Sequence, residues 1–272
     1  MKKIIIFCAI ALTSALSFTS CQKVIDVDLN TAAPQYVIEG FLHAGTDTFK
    51  VHIAQTSSYF AAENASTINA ATVTLLQDNG SPISLQSIGN GNYIAPNYTA
   101  QSDHNYTLKV VDNGKTFIAA AYMPRLVRPD TVEVSTPSFV PPNPGGGGSN
   151  SKKTYVVISR YKDPAGVANY YQVRLSPESN GGRSTYYLAN DKNVDGAPNS
   201  ITIVGSYLPN TPATLEFICL DKSTYNYFNQ LEEIIGRSSN SVSPANPDNN
   251  WSNGALGYFG ASNSVKIPIL IR

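Results

Sequence analysis

Asp191-Lys192-Asn193-Val194-Asp195-Gly196 has the residue types and spacing that open a calcium loop: oxygen-bearing side chains at alternate positions, then a turning glycine. A full loop of that kind closes with a bidentate glutamate at its twelfth position, where this chain has Thr202. Neither flank reads as a helix. The expectation is therefore a polar β-turn, with Asp191, Asn193 and Asp195 as the metal candidates and any further ligands coming from elsewhere. Other chemistry is sparse. His43, His52 and His104 form no His-x-x-x-His or His-Glu pair, and no Gly-x-Ser-x-Gly elbow presents a nucleophile. His52 alternates with the apolar residues of a strand and is expected to face solvent. Glu232 and Glu233 are adjacent on a helical pattern and point in different directions, which makes a poor acid/base pair. Carboxylates distant in sequence could still meet across the fold, as glycosidase pairs do. Gly145 to Gly148 run into Ser149-Asn150 rather than the Gly-Lys-Ser/Thr that a phosphate loop needs. Cys219, within the apolar run from Leu215 to Leu220, reads as a buried small hydrophobe. These observations predict a noncatalytic protein without a cofactor.

Two further features carry chemistry of another kind. Asn246-Pro247-Asp248-Asn249-Asn250-Trp251-Ser252-Asn253-Gly254 holds the only tryptophan of the chain. Amide-rich loops with an aromatic ring bind sugars or peptides, so Trp251, Asn249 and Asn253 are binding candidates. The same residues suit an ordered turn before a strand, with Trp251 covering the core edge, and that role is favoured. At the other end, Lys2 and Lys3 precede the apolar stretch Ile4 to Leu16, and Phe18-Thr19-Ser20 leads into Cys21. The apolar stretch is too short for a comfortable membrane span, and its cationic start and small-residue end are those of a cleaved signal. Residues 1–20 are thus expected to be a lipoprotein signal peptide, Cys21 the lipidation site, and 21–33 a lipidated tether.

Removal of that signal takes Lys2 and Lys3 and leaves 17 basic against 19 acidic residues, a formal net charge of −2. Near-neutrality argues against nucleic acid as a partner. Charged residues make up 14% of the chain, well below the usual quarter or so. With Cys8 in the signal and Cys21 acylated, Cys219 has no disulfide partner within the mature chain.

The elements that would position these residues read as strands. Phe49, Val51 and Ile53 alternate with Lys50 and His52, the period of a half-buried strand. Asp78-Asn79-Gly80 and Asp112-Asn113-Gly114 each separate two apolar alternations, as hairpin turns do. Strands at 36–42, 48–55, 72–77, 83–87, 92–95, 105–111 and 116–121 suit an immunoglobulin-like or prealbumin-like sandwich over 34–125. Tyr106, opening its strand after a polar turn, fits either a tyrosine corner or an ordinary strand position. A Pro/Gly-rich connection follows over 126–153, and 154–272 forms a second β-rich domain. Its strands are expected at 155–159, 171–175, 186–189, 201–207, 213–220 and 265–271. Within it, apolar residues at 225, 228, 231 and 235 predict a helix near 222–236, capped by Asp221 and stopped by Gly236, whose aromatic stripe is core.

Several stretches resemble one family. Cys21-Gln22-Lys23-Val24-Ile25-Asp26-Val27-Asp28-Leu29 with Tyr36-Val37-Ile38-Glu39-Gly40 is similar to the start of the Bacteroidetes lipoproteins grouped as DUF4249. Asp163 to Tyr171, Asp221 to Phe228 and Asn253 to Ala261 match as well. The resemblance implies an outer-membrane or surface lipoprotein, often encoded beside TonB-dependent receptors, with no catalytic residues assigned. Phe18-Thr19-Ser20-Cys21 also resembles lipoprotein signals of that phylum, although Phe18 stands where leucine is usual. Acidic residues soon after the cysteine resemble its surface-export signals, but Val24 and Ile25 intervene before Asp26 and Asp28. Cell-surface orientation is favoured over the periplasmic face, and a plain tether or strand start accounts for the same residues. The expected function is that of a noncatalytic accessory or ligand-capturing partner of a TonB-dependent receptor in nutrient uptake. An independent carbohydrate- or peptide-binding surface module is the alternative.

Overall fold

Alternating burial organises the whole molecule. The computed structural model describes residues 33–45, 48–57, 66–137, 152–178, 184–236 and 246–272. The expected signal peptide, the expected lipidation site Cys21 and most of the expected tether lie outside them. The first half contributes β1 (Tyr36–His43), β2 (Thr48–Gln55), β3 (Thr72–Gln77), β4 (Ile83–Ser84), β5 (Gln86–Gly89), β6 (Asn92–Pro96), β7 (His104–Asp112) and β8 (Lys115–Met123). The remainder contributes β9 (Thr131–Ser135), β10 (Lys153–Lys162), β11 (Tyr170–Pro177), β12 (Thr185–Asn190), β13 (Pro198–Tyr207), β14 (Thr211–Leu220), helix α1 (Lys222–Gly236) and β15 (Leu256–Ile271). The fold is mainly β, with an immunoglobulin-like sandwich at its N-terminal end, and α1 is the one helix among the described residues.

Among the described residues, three sheets enclose two cores. The widest runs β12-β11-β14-β15-β1-β2-β6-β5, faced by β4-β3-β7-β8 at one end and by β13-β10-β9 at the other. Ile38, Phe49, Val51, Leu75, Tyr106 and Leu108 pack in the first core; Val157, Tyr161, Tyr171, Val173, Leu215 and Phe217 pack in the second. β15 belongs to both. Its residues 256–262 pair in parallel with β1, and from Ser262 to Ile271 it pairs antiparallel with β14. Pro34 to Arg272 accordingly forms one compact unit. Residues 251–261, which the sequence assigns to the second β-rich domain, supply Trp251, Ala255, Phe259 and Ala261 to the first core. Nothing in their local pattern marks that return, because parallel pairing with β1 joins residues more than two hundred positions apart.

Local chemistry explains most elements. Asn113 and Gly114 adopt φ of 47° and 74°, the positive angles of a tight hairpin turn between β7 and β8. In the other turn the left-handed residue is Asp78 (φ 48°), and the Gly80 N–H donates to the Gln77 carbonyl. Tyr106 is a tyrosine corner: its hydroxyl accepts from Gln101 N–H (2.7 Å) and donates to Gln101 O (2.9 Å). β9 and the start of β10 lie inside the stretch read as a connection. β9 is a short edge strand between prolines with no fully buried residue; Thr-Val-Glu-Val-Ser does alternate, but over only five residues that Pro129 and Pro137 flank with loop signals.

Helix α1 packs on the outer face of the wide sheet. Core-facing positions of β1 are 36, 38, 40 and 42, which leaves Phe41 outside to stack on Phe228 at 5.8 Å. Tyr227 stacks on Tyr258 at 4.3 Å, and Tyr225 meets Tyr170 of β11 at 5.1 Å. The stripe is therefore partly buried at 225 and 228, whereas Ile235 near the C-terminus is 63% exposed, contrary to its expected core position.

Candidate functional site

Asp191 and Asp195 do fold into a turn. The Val194 N–H donates to Asp191 O (2.8 Å), and the Ala197 N–H to Val194 O (3.0 Å). Thr202 lies in β13 opposite Ile158, so the calcium-loop pattern breaks off into a strand. Asn193 takes no part in the carboxylate cluster. A residue that spacing did not reveal does: Asp163, just beyond β10, brings a carboxylate oxygen within 4.8 Å of one from each of Asp191 and Asp195. Asp163 and Asp191 are 1% and 6% exposed. Like charges this close and this buried need compensation. Donors supply it. Tyr171 hydroxyl (2.6 Å) and Gly196 N–H (3.1 Å) donate to Asp163, Asn169 N–H (2.7 Å) and side-chain amide (3.3 Å) donate to Asp191, and Gly166 N–H (2.8 Å) donates to Asp195. Burial and the bond to Asp163 push the Tyr171 phenol well above its ordinary pKa. The cluster thereby clamps the loop after β10 to the loop before β13. Its three carboxylates are hard oxygen donors, while calcium takes six to eight oxygens.

Trp251 is a core residue. It is 7% exposed, and its indole N–H donates to Ile38 O (3.0 Å). The flanking amides serve the backbone. Asn249 accepts from Trp251 N–H (3.0 Å), and Asn250 binds Ala120 O (2.9 Å), Phe259 O (2.6 Å) and Phe259 N–H (3.1 Å). Asn253, left-handed at φ 57°, donates to Thr116 O (2.6 Å). Ser252 exchanges two bonds with Ile118, its N–H to Ile118 O (2.9 Å) and Ile118 N–H to its Oγ (2.8 Å). β8 is an edge strand, so the loop saturates outward groups that would otherwise be a template for another chain.

The last outward N–H of β8, at Tyr122, goes to Asp221 Oδ2 (3.0 Å), whose other oxygen caps α1 through Thr224 N–H (2.6 Å) and Ser223 Oγ (3.1 Å). Here a cleft of about 980 Å³ opens, walled by the end of β8 with Pro124 and Arg125, by residues 164–171, and by the start of α1. The Tyr122 hydroxyl donates to Asp103 Oδ1 (2.7 Å), and Arg125 pairs with the other oxygen of Asp103. Those bonds hold the Asp103 carboxyl below the ordinary carboxylate range and, in return, raise the Tyr122 phenol. No spacing in the sequence links Asp103, Tyr122, Asp221 and Asn226; register does. Tyr36, where the chain enters the fold, meets Phe117 near the start of β8 at a ring distance of 4.7 Å. Tyr122 follows Phe117 by five positions along β8, roughly 17 Å at strand rise.

The remaining candidates are structural. His43 is exposed at the end of β1, but its ring bonds to Ser262 Oγ (2.7 Å) and desolvation there lowers its pKa. His52 contacts the Asn92 amide oxygen (3.3 Å), and His104 pairs with Asp78. Glu232 is not fully solvated: burial raises its pKa, and Tyr186 donates to it. No helix among the described residues is long and apolar enough to cross a membrane.

Among solved structures, a two fibronectin type-III domain segment from chicken tenascin is similar at 11% identity, over 88% of this chain and 99% of that one, with a TM-score of 0.25. A likeness that low carries no inference. The comparison with curated proteins gives no match. A family model described as a domain of unknown function, DUF4249, matches residues 22–267, nearly the whole of the chain, and the protein belongs to that family.

Proposed function

We propose that the protein is a noncatalytic lipoprotein of the outer membrane, anchored through Cys21, that captures a ligand for a TonB-dependent receptor in nutrient uptake. The observation that carries this reading is the cleft itself, about 980 Å³ between the end of β8, residues 164–171 and the start of α1, a size that suits a small ligand. Cell-surface exposure is favoured by Asp26 and Asp28 soon after Cys21, which resemble surface-export signals. The noncatalytic part rests on the clustered carboxylates Asp163 and Asp191, which are buried and engaged with N–H and O–H donors. The receptor as partner comes from the family resemblance and from a weakly charged surface suited to aromatic and polar contacts.

The test compares crosslinked native membranes bearing the full chain with membranes bearing only residues 1–33 fused to an inert carrier. Receptor recovered with the full chain alone is the expected result. Equal recovery from both would reduce the association to shared residence in the membrane. In parallel, Cys21→Ser should abolish partition into the detergent phase, since stable anchoring takes more than one acyl chain. An independent carbohydrate- or peptide-binding module is the second reading, favoured by the same cleft, and ligand binding without receptor recovery would select it.

A further inference from the structure

The cleft beside Tyr122 is charge-balanced. Asp103 and Asp221 line it against Arg125 and Lys222. Asp103 is paired with Arg125, and Asp221 divides its oxygens between the Tyr122 N–H and the first turn of α1. The cap occupies the Thr224 N–H and sets a carboxylate at the helix N-terminus, where an anion would otherwise sit. A charged ligand would find no surplus of opposite charge. A neutral ligand would find rings, hydroxyl partners and amides.

Tyr122 supplies the ring. Its side chain is 40% exposed, yet its hydroxyl is held by Asp103, so an aromatic face is fixed in place beside a carboxylate–guanidinium pair. Such a face stacks on the flat, C–H-bearing side of a pyranose, while Asp103 and Arg125 offer an acceptor and donors to neighbouring hydroxyls. Asn226 is exposed on α1 at the opposite wall and carries both amide functions. An extended peptide would instead be recognised by pairing along a free strand edge. That edge is taken: Thr116, Ile118, Ala120 and Tyr122 of β8 bond to Asn253, Ser252, Asn250 and Asp221. The volume, about 980 Å³, lies at the upper end of the roughly 300–1,000 Å³ of small-ligand sites and has room for more than one sugar ring.

We propose that this cleft binds a neutral oligosaccharide, with Tyr122 as the stacking platform and Asp103, Arg125 and Asn226 as hydroxyl partners. The proposal rests on the reading of the protein as a ligand-capturing one and specifies its ligand. The test applies the full-length protein, in a detergent without a sugar headgroup, to an array of immobilised neutral glycans, then titrates the best soluble hexasaccharide by calorimetry. Saturable binding is expected, weakened about tenfold or more by Tyr122→Ala and less by Tyr122→Phe, which keeps the ring. Asn226→Ala, at an exposed position, should weaken binding severalfold without altering the melting temperature, and it decides the matter should Tyr122→Ala fail to fold. Absence of any neutral-glycan binding, equal affinity in both alanine variants, or displacement by an uncharged peptide overturns the proposal. Receptor recovery is measured separately: recovery without glycan binding removes the ligand class alone, and glycan binding without recovery removes the partnership alone.

Discussion

Asp163 stands beneath the surface with two donors trained on it, which makes its deletion a problem for its neighbours more than for itself. In Asp163→Ala the Tyr171 hydroxyl and the Gly196 N–H lose their acceptor. We expect a loss of about 2–4 kcal/mol in urea denaturation followed by far-ultraviolet circular dichroism, and a smaller one for Asp163→Asn, which keeps an acceptor oxygen. Wild-type stability in the alanine variant would show that the clamp contributes nothing. Asp103 behaves differently because it is more exposed. Its carboxyl is held down first by the Tyr122 hydroxyl and then by Arg125. A depressed carboxylate stabilises the fold at pH above its ordinary value of about 3.9 and loses that contribution as pH falls through the lowered one. Arg125→Ala should therefore move the Asp103 midpoint upward in a carbon-detected titration. An unchanged midpoint would mean that Arg125 does not set it.

At the scale of elements, side chains replace a missing strand along β8. Asn250→Ala removes the partners of Ala120 O and of both Phe259 backbone groups. It should lower stability by about 1–3 kcal/mol and, by freeing part of an edge, promote self-association visible in light scattering. A stable and monodisperse variant would contradict the edge-sealing role. Gly257 is a second such point. At φ 89° a Cβ would stand 2.3 Å from Ile38 O, so Gly257→Ala should break the parallel pairing of β1 and β15 at its start. Strands were largely legible in the sequence because alternation and turn residues are local signals: β2 and β3 coincide with their expected ranges, and α1 follows from Asp221 and the 225/228 spacing. What was not legible is what register creates. Asp163 reaches Asp191 across two loops, Trp251 reaches Ile38 across the sandwich, and the cleft joins β8 to α1 through a single carboxylate. Each depends on which strands lie side by side, and no spacing along the chain encodes that.

The whole molecule is held together by β15. Its first part completes the sheet over the first core and its last part the sheet over the second, and Asn263 near their junction donates to Ser102 Oγ (2.7 Å) and Pro124 O (3.3 Å) at the far end of the first sandwich. A strand shared in this way cannot detach from one core without losing its register in the other. The two halves should therefore unfold together, although each has its own hydrophobic cluster. Nature supplies one probe for each. Trp251, the only tryptophan, is buried in the first core. Cys219 is buried in the second beside Val127, its thiol pushed up to about 11 by burial and hence unreactive while the core is closed. In urea, the shift of Trp251 fluorescence and the alkylation of Cys219, read by mass spectrometry on its own peptide, should share one midpoint, as coincident probes do in a two-state transition. Alkylation at clearly lower urea than the fluorescence change would show that β14 and β11 open while β1 and β15 stay paired, and would make the two cores independent folding units joined by a strand that transmits nothing.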